Sequence, residues 1–83
     1  MKYVWITVCL VEFEEYVNLD RPQVFAHKKD AKAWFEKKVK WLFDEMVDEE
    51  DVVNKIEDKL YLHISCNYGR EYATIYAKKV KVK

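Results

Sequence analysis

The chain has 83 residues, of which 51% are hydrophobic, with one glycine and one proline. This length predicts a single domain, residues 1–83, and the composition excludes a disordered or low-complexity chain. Fifteen basic and fifteen acidic residues give a formal net charge of zero, which argues against the strongly basic surface that is typical of nucleic-acid-binding domains.

Residues 2–13 are predicted to form a long strand that is apolar on both faces. Such a strand is expected to be covered on both sides, at least in part. The apolar run is too short to span a bilayer and lacks the features of a signal peptide, so we expect no membrane segment and a cytoplasmic location. Alternation puts Val4, Ile6, Val8 and Leu10 on one face and Tyr3, Trp5, Thr7, Cys9 and Val11 on the other.

A loop over residues 14–22 and a short edge strand over residues 23–26 are predicted next, with Pro22 at the start of the edge strand. A long helix is then expected to begin with His27 as its N-cap and with Asp30 in its first turn. Spacings of three and four residues predict the buried stripe of this helix: Ala31, Phe35, Val39, Leu42 and Met46, widened by Trp34, Trp41 and Phe43.

Asp48 is predicted to cap a short second helix that includes Val52, Val53 and Ile56 and ends before Leu60. Residues 59–67 and 71–82 then indicate a β-hairpin with a two-residue loop at Tyr68-Gly69. This register separates the side chains cleanly, whereas a slip of one residue would mix the two faces. It pairs Leu60 with Ala77, Leu62 with Ile75 and Ile64 with Ala73 on one face, and Tyr61 with Tyr76 and His63 with Thr74 on the other.

These elements predict an α+β fold of the order β-α-α-β-β. Three long antiparallel strands, in the spatial order first, third, second, are expected to pack on the long helix and the short second helix, with the short strand at an edge. Because Lys and Val alternate over residues 78–83 and the parity shifts after Lys79, a bulge or a departing tail is expected there.

No catalytic, cofactor or metal site is predicted, and we expect a protein that is not an enzyme. Cys9 and Cys66 have no metal-binding spacing and are expected to be reduced, and His63 and Cys66 fall on opposite faces of one strand. The acidic run at residues 48–51 lacks the ligand pattern of a calcium loop. The predicted functional feature is instead an aromatic sheet face that one helix cannot cover, with the interaction residues Trp5, Tyr61, His63, Tyr72 and Tyr76.

The leading hypothesis is a small binding protein that uses this aromatic face to contact a protein partner. The partner is expected to be a second copy, and the homodimer is expected to form sheet against sheet or edge to edge through the first strand. A single-stranded nucleic acid is the alternative occupant, because aromatic side chains beside basic ones can form a base-stacking platform. The basic residues concerned are Lys59, Arg70, Lys78 and Lys79.

The segment VFAHKKDAKAWF, residues 24–35, resembles a pattern in small uncharacterised phage and bacterial α+β accessory proteins. In that pattern a short strand ending in Val-Phe leads into a capped helix with an acid and an alanine at the matching places. The resemblance implies a phage or mobile-element accessory protein, and some such proteins block a host defence enzyme. An acidic segment at residues 44–51 would then contact a basic groove, through Asp44, Glu45, Asp48, Glu49, Glu50 and Asp51.

Overall fold

The computed structural model describes residues 2–13, 16–66 and 71–82, which form one antiparallel sheet and one α-helix. Two of the strands are twelve residues long and run through the middle of the sheet. The elements in chain order are β1 (Lys2–Phe13), β2 (Tyr16–Leu19), β3 (Val24–Phe25), α1 (Lys28–Trp41), a π-helical turn (Leu42–Met46), a 3-10 turn (Glu49–Asp51), β4 (Val52–Asp58), β5 (Tyr61–Cys66) and β6 (Glu71–Val82).

The sheet has six strands within the described residues, in the order β2-β1-β6-β5-β4, and β3 also pairs with β1. The prediction of a three-stranded sheet with two helices is therefore wrong. The three long strands of that prediction are nevertheless neighbours in the predicted order, with β6 between β1 and β5. What the prediction missed is one further strand on each side of this group.

The predicted second helix is the strand β4, which is preceded by a short 3-10 turn. Asp48 accepts the backbone hydrogen bond of that turn from Asp51 (3.0 Å) and does not begin an α-helix. Val52, Val53 and Ile56 are β-branched and favour the extended backbone. A helix would also have to bury these side chains against a sheet face that α1 already occupies, whereas a strand can satisfy the free edge of β5.

The predicted loop at residues 14–22 contains the strand β2, which pairs with the last four residues of β1. The short strand predicted at residues 23–26 is confirmed, since β3 pairs with Trp5 and Ile6. Thr7 between these two pairings donates its amide to Gln23 O (3.0 Å), and Cys9 O accepts a bond from the Asp20 amide (3.0 Å). The outer edge of β1 is thus occupied along most of residues 5–13, which leaves little of it for the predicted edge-to-edge contact through the first strand, and that contact stays a prediction.

The helix begins as predicted, with His27 as its N-cap. The His27 side chain makes no capping hydrogen bond, and its backbone carbonyl accepts the amides of Asp30 (3.2 Å) and Ala31 (3.3 Å). The helix then widens into the π-helical turn, which the Val47 amide closes by donating to Leu42 O (2.9 Å). This wider turn allows both Leu42 and Val47 to be buried although they are five residues apart.

The core lies between α1 and one face of the sheet. The predicted helix stripe contributes the fully buried Ala31 and Leu42 and the nearly buried Phe35, with Val39 and Met46 partly buried. Alternate residues of the three central strands supply the other side of the core: Thr7, Cys9 and Val11 of β1, Leu62, Ile64 and Cys66 of β5, and Ala73, Ile75 and Ala77 of β6.

The register predicted for the hairpin is confirmed, with Tyr61 opposite Tyr76, Leu62 opposite Ile75 and Ile64 opposite Ala73. The loop predicted at Tyr68-Gly69 lies outside the described residues. The predicted bulge or departing tail after Lys79 is wrong, because β6 stays paired with β1 without a shift as far as Val82. In the described part of the chain, no helix is long and apolar enough to cross a membrane.

An ion pair between Asp20 and Lys38 joins the β2–β3 connection to the helix. The hydrogen bond from Lys38 is the main cause of the lowered pKa of Asp20, and the Asn18 side-chain amide donates a second bond (2.7 Å). A carboxylate with a lowered pKa in the folded state stabilises the fold above its ordinary pKa of 3.8, and this contribution is lost as the pH falls through the folded-state pKa.

Asp20→Asn is therefore expected to lower the free energy of unfolding by about 1 kcal/mol at neutral pH. The difference from the wild type should shrink as the pH falls from 3.8 towards the lowered folded-state pKa and vanish below that pKa, because the carboxylate is then protonated in both the folded and the unfolded wild-type chain. Urea unfolding at a series of pH values measures it. Glu36→Gln, which removes the exposed Lys32–Glu36 pair (3.9 Å), is the control with little expected effect. If the difference in unfolding free energy between the wild type and Asp20→Asn grew in acid, it would contradict a stabilising role of the ionised Asp20 carboxylate.

Candidate functional site

The face of the sheet that points away from α1 is the candidate functional site, and we call it the open face. None of the described residues on this face is fully buried, whereas the buried residues of β1, β5 and β6 all point to the other side. Side chains opposite each other in antiparallel strands share a face, so the register defines its members. They are Lys2, Val4, Ile6, Val8, Leu10 and Glu12 of β1, Val17 and Leu19 of β2, Val24 of β3, Asn54, Ile56 and Asp58 of β4, Tyr61, His63 and Ser65 of β5, and Tyr72, Thr74, Tyr76, Lys78, Val80 and Val82 of β6.

The β5 and β6 half of the open face is aromatic. The rings of Tyr61 and Tyr76 lie on opposed residues with centroids 6.0 Å apart and an interplanar angle of 28°. The imidazole of His63 and the ring of Tyr72 follow along the same two strands, with centroids 6.3 Å apart and an interplanar angle of 37°. These four residues are among those predicted as interaction residues, and the structure brings all four together.

Polar contacts hold the middle of the aromatic half in place. His63 Nδ1 lies 2.8 Å from Thr74 Oγ1 on the neighbouring strand. Tyr72 is opposite Glu12 of β1, and its hydroxyl hydrogen-bonds to the Glu12 carboxylate. That hydrogen bond is the main cause of the raised pKa of Tyr72, because it is lost when the phenol ionises. The side chains of His63 and Tyr72 are therefore held by cross-strand bonds within the sheet.

The β1, β2 and β3 half of the open face is aliphatic. Val17, Leu19 and Val24 are 68%, 65% and 63% exposed, although each has an apolar or half-buried neighbour on β1. These three residues were not predicted as interaction residues, since Val17 and Leu19 fall in the loop predicted at residues 14–22 and Val24 in the short predicted edge strand. They could have been inferred from β1, which is apolar on both faces. A strand of this kind is expected to have apolar neighbours in the strands on both of its edges.

Trp5 does not belong to the open face, so the prediction that it acts on the same surface as the tyrosines is wrong. It shares the parity of Thr7 and Cys9, which are buried under α1. The Lys28 ammonium at the start of α1 lies 5.9 Å from the centroid of the Trp5 ring. Trp5 therefore lies on the helix side of the sheet, near the end of the core.

The basic residues proposed for a nucleic-acid platform are divided between the two faces. Lys78 is opposite Ile6 on the open face. Lys79 points to the helix side, where its ammonium lies 4.5 Å from the centroid of the Tyr3 ring. Lys59 follows β4, and Arg70 lies outside the described residues. The described lysines do not form a continuous basic rim around the aromatic residues.

The acidic segment lies in the turns between α1 and β4, away from the open face. Asp44 and Glu45 are exposed on the π-helical turn, and Asp48, Glu50 and Asp51 are exposed around the 3-10 turn. Phe43, Asp44, Asp48 and Glu50 line a shallow depression. The remaining acidic residue of the prediction, Glu49, is the first residue of the 3-10 turn.

The two cysteine side chains lie in the core. Both cysteines are free and buried, and burial raises the pKa of the Cys9 thiol to about 11 and also raises the pKa of the Cys66 thiol. As predicted, His63 and Cys66 point to opposite sides of β5, so no Cys–His pair forms. Among the residues that the structure describes, no group of His, Cys, Asp and Glu side chains could hold a metal ion.

Comparison of the chain with protein-family models finds no match, and comparison with curated proteins and with solved structures finds none at the sequence or the structure level. The resemblance of residues 24–35 to phage and bacterial accessory proteins stays a prediction.

Proposed function

We propose that this protein is a non-enzymatic, cytoplasmic binding module whose open face docks a protein partner. The observation that supports the proposal is the open face itself, because one whole side of the sheet carries aliphatic and aromatic side chains and no described element covers it. Exposed apolar patches of this extent on a small domain are typical of interaction surfaces. Tyr61, His63, Tyr72 and Tyr76 are the aromatic anchors of the proposed surface.

The size of the open face suits a protein partner. The molecule measures 44 × 20 × 18 Å along its principal axes. The strands β1 and β6 have twelve residues each and are about 40 Å long, and five strands lie side by side about 4.8 Å apart, so the sheet spans roughly 40 × 20 Å. The open face therefore offers on the order of 800 Å², which is about one partner's share of a standard protein–protein interface. Charged residues are few among its members, which suits the centre of a protein–protein interface.

A second copy of the chain is the partner that the arrangement favours. The open face has an aliphatic half on β1, β2 and β3 and an aromatic half on β5 and β6. A two-fold axis parallel to the strands, between two such faces, would place the aliphatic half of each copy on the aromatic half of the other. Such an isologous interface buries both halves at once.

Tyr61→Glu is expected to weaken self-association by about tenfold or more, because it places a charge among aromatic anchors that become buried in the complex. Tyr3→Glu is the matched control, since Tyr3 is 42% exposed and Tyr61 is 38% exposed, and Tyr3 points to the helix side of β1. Sedimentation velocity over a concentration series measures the association, and thermal unfolding checks that both variants fold.

A wild-type chain that stays monomeric at all concentrations would contradict self-association through the open face, as would equal effects of the two substitutions. The same wild-type and variant chains should be titrated with a labelled single-stranded oligonucleotide at low and at raised salt. Salt-dependent binding that Tyr61→Glu abolishes would favour a nucleic acid as the occupant in place of a protein.

A further inference from the structure

Strand β4 forms one edge of the sheet. It pairs with β5 on one side, and no other described strand lies on its second side. Six of its seven residues are exposed, including Ile56 at 52%. The opposite edge is made of the short strands β2 and β3, which are interrupted by Pro22, so β4 offers the longer uninterrupted edge for pairing with another strand.

The hydrogen-bond pattern shows which amides of β4 face the free edge. Ala77 donates its amide to Leu60 O (3.0 Å), so in β5 the alternate residues 60, 62, 64 and 66 bond to β6. Residues 61, 63 and 65 then bond to β4, where their partners are Asp58, Ile56 and Asn54. It follows by alternation that the backbone N–H and C=O groups of Lys55 and Glu57 point outward.

Charge selects one register for antiparallel pairing of two β4 strands around a two-fold axis. An axis at residue 55 would place Lys55 opposite Lys55 of the second copy, and an axis at residue 57 would place Glu57 opposite Glu57. An axis at Ile56 places Ile56 opposite Ile56 and Lys55 opposite Glu57 twice. Opposed unlike charges stabilise strand pairs and opposed like charges destabilise them, so the Ile56 axis is favoured.

We propose that β4 is a self-recognition edge, at which two copies of the chain join antiparallel about a two-fold axis through Ile56. The outward amides and carbonyls of Lys55 and Glu57 supply the backbone bonds on both sides of the axis. The axis is perpendicular to the sheet, so both helices lie on one side and the two open faces become one continuous surface. This surface is distinct from the one in the proposed function and could form whether or not the open face binds a partner.

The side chains of Lys55 and Glu57 lie on the same face of β4, as pairing between two copies requires. Lys55 Nζ lies 3.1 Å from Glu57 Oε2 within one chain and 5.3 Å from the centroid of the Phe43 ring. Lysine on an edge strand ordinarily discourages pairing. In the Ile56 register the two lysines and two glutamates alternate around the axis, so the same lysine excludes the neighbouring registers and stabilises this one.

The test uses charge reversal in the Tyr61→Glu chain, where association through the open face is expected to be weakened. Lys55→Glu and Glu57→Lys are each expected to weaken dimerisation by about tenfold, because two attractive cross-strand pairs become repulsive. Mixing the two variants should restore a one-to-one heterodimer, and the double variant Lys55→Glu/Glu57→Lys should dimerise like its parent. Sedimentation equilibrium at chain concentrations up to roughly 1 mM measures this, since interfaces of this size are weak.

Amide exchange followed by NMR gives a second readout at single residues. The amides of Lys55 and Glu57 should become protected as the concentration of the unreversed chain rises, while those of Asn54 and Ile56 are protected by β5 at every concentration. Failure of the mixed variants to form a heterodimer, or concentration-independent exchange at Lys55 and Glu57, would overturn the proposal. The contrast of Tyr61→Glu with Tyr3→Glu reports on the open face separately, so either proposal can fail alone.

Discussion

Ile75→Ala is expected to lower the free energy of unfolding by about 2–5 kcal/mol. Ile75 lies on the central strand β6, has no exposed surface and belongs to the cluster that joins the sheet to α1. Cys9 and Leu62 lie opposite Ile75 on the two flanking strands, and both are buried. Because they are held in the sheet, they cannot close the cavity that the truncation leaves. Urea unfolding at a chain concentration where the protein is monomeric measures the change, which is read at constant m-value.

Two further substitutions show whether this loss comes from packing. Ile75→Val removes a single methylene and is expected to cost about 0.5–1.5 kcal/mol. Val17→Ala also truncates an aliphatic strand residue, but on the open face, and should change stability by no more than about 0.5 kcal/mol in the monomer. If Val17→Ala costs as much as Ile75→Ala, the open face is buried in the monomer and is not a binding surface.

Those parts of the fold in which residues close in sequence constrain each other could be predicted from the sequence. The register of the β5–β6 hairpin could be predicted because only one pairing puts Leu62 with Ile75 and leaves Tyr61 with Tyr76. The stripe of α1 could be predicted because Ala31, Phe35 and Leu42 recur at helical spacing. In both cases a local period determines which side chains share a face.

The strands β2 and β4 were not predicted, because they are short and their formation depends on pairing with other strands. β2 has four residues and is a strand because the end of β1 offers it a free edge. β4 carries acidic and polar residues that suit a helix start as well as a strand. Its extended form is favoured by the unpaired side of β5, and that edge exists only after the sheet has formed.

The placement of Trp5 has the same explanation. Alternation correctly grouped Trp5 with Cys9 and Val11, but alternation within β1 does not say which of its faces joins the tyrosines. That choice depends on the pairing of Cys9 with Ile75, which is remote in sequence. The aromatic anchors on β5 and β6 were predictable because they belong to one hairpin, whereas the aliphatic half of the open face required the register between β1 and β6.

Proline substitutions in β4 are expected to have very different effects at two adjacent residues. Ile56→Pro should lower the free energy of unfolding by about 2–3 kcal/mol relative to Ile56→Ala, because the amide of Ile56 bonds to His63 of β5. Lys55→Pro should cost less than about 1 kcal/mol relative to Lys55→Ala, because the amide of Lys55 points away from the sheet. Urea unfolding of the monomer measures all four variants.

The two proline variants distinguish a strand from a helix at residues 52–58. In a helix that began at Asp48, residues 55 and 56 would both lie in the interior, and proline at either position would cost about 3 kcal/mol. Equal losses would therefore contradict the edge strand. A tolerated Lys55→Pro has a further consequence for the self-recognition edge, because it removes an outward amide without disturbing the fold. Such a chain should remain folded and fail to dimerise through β4, whereas Lys55→Ala should keep the backbone bonds and lose only the contribution of the charge.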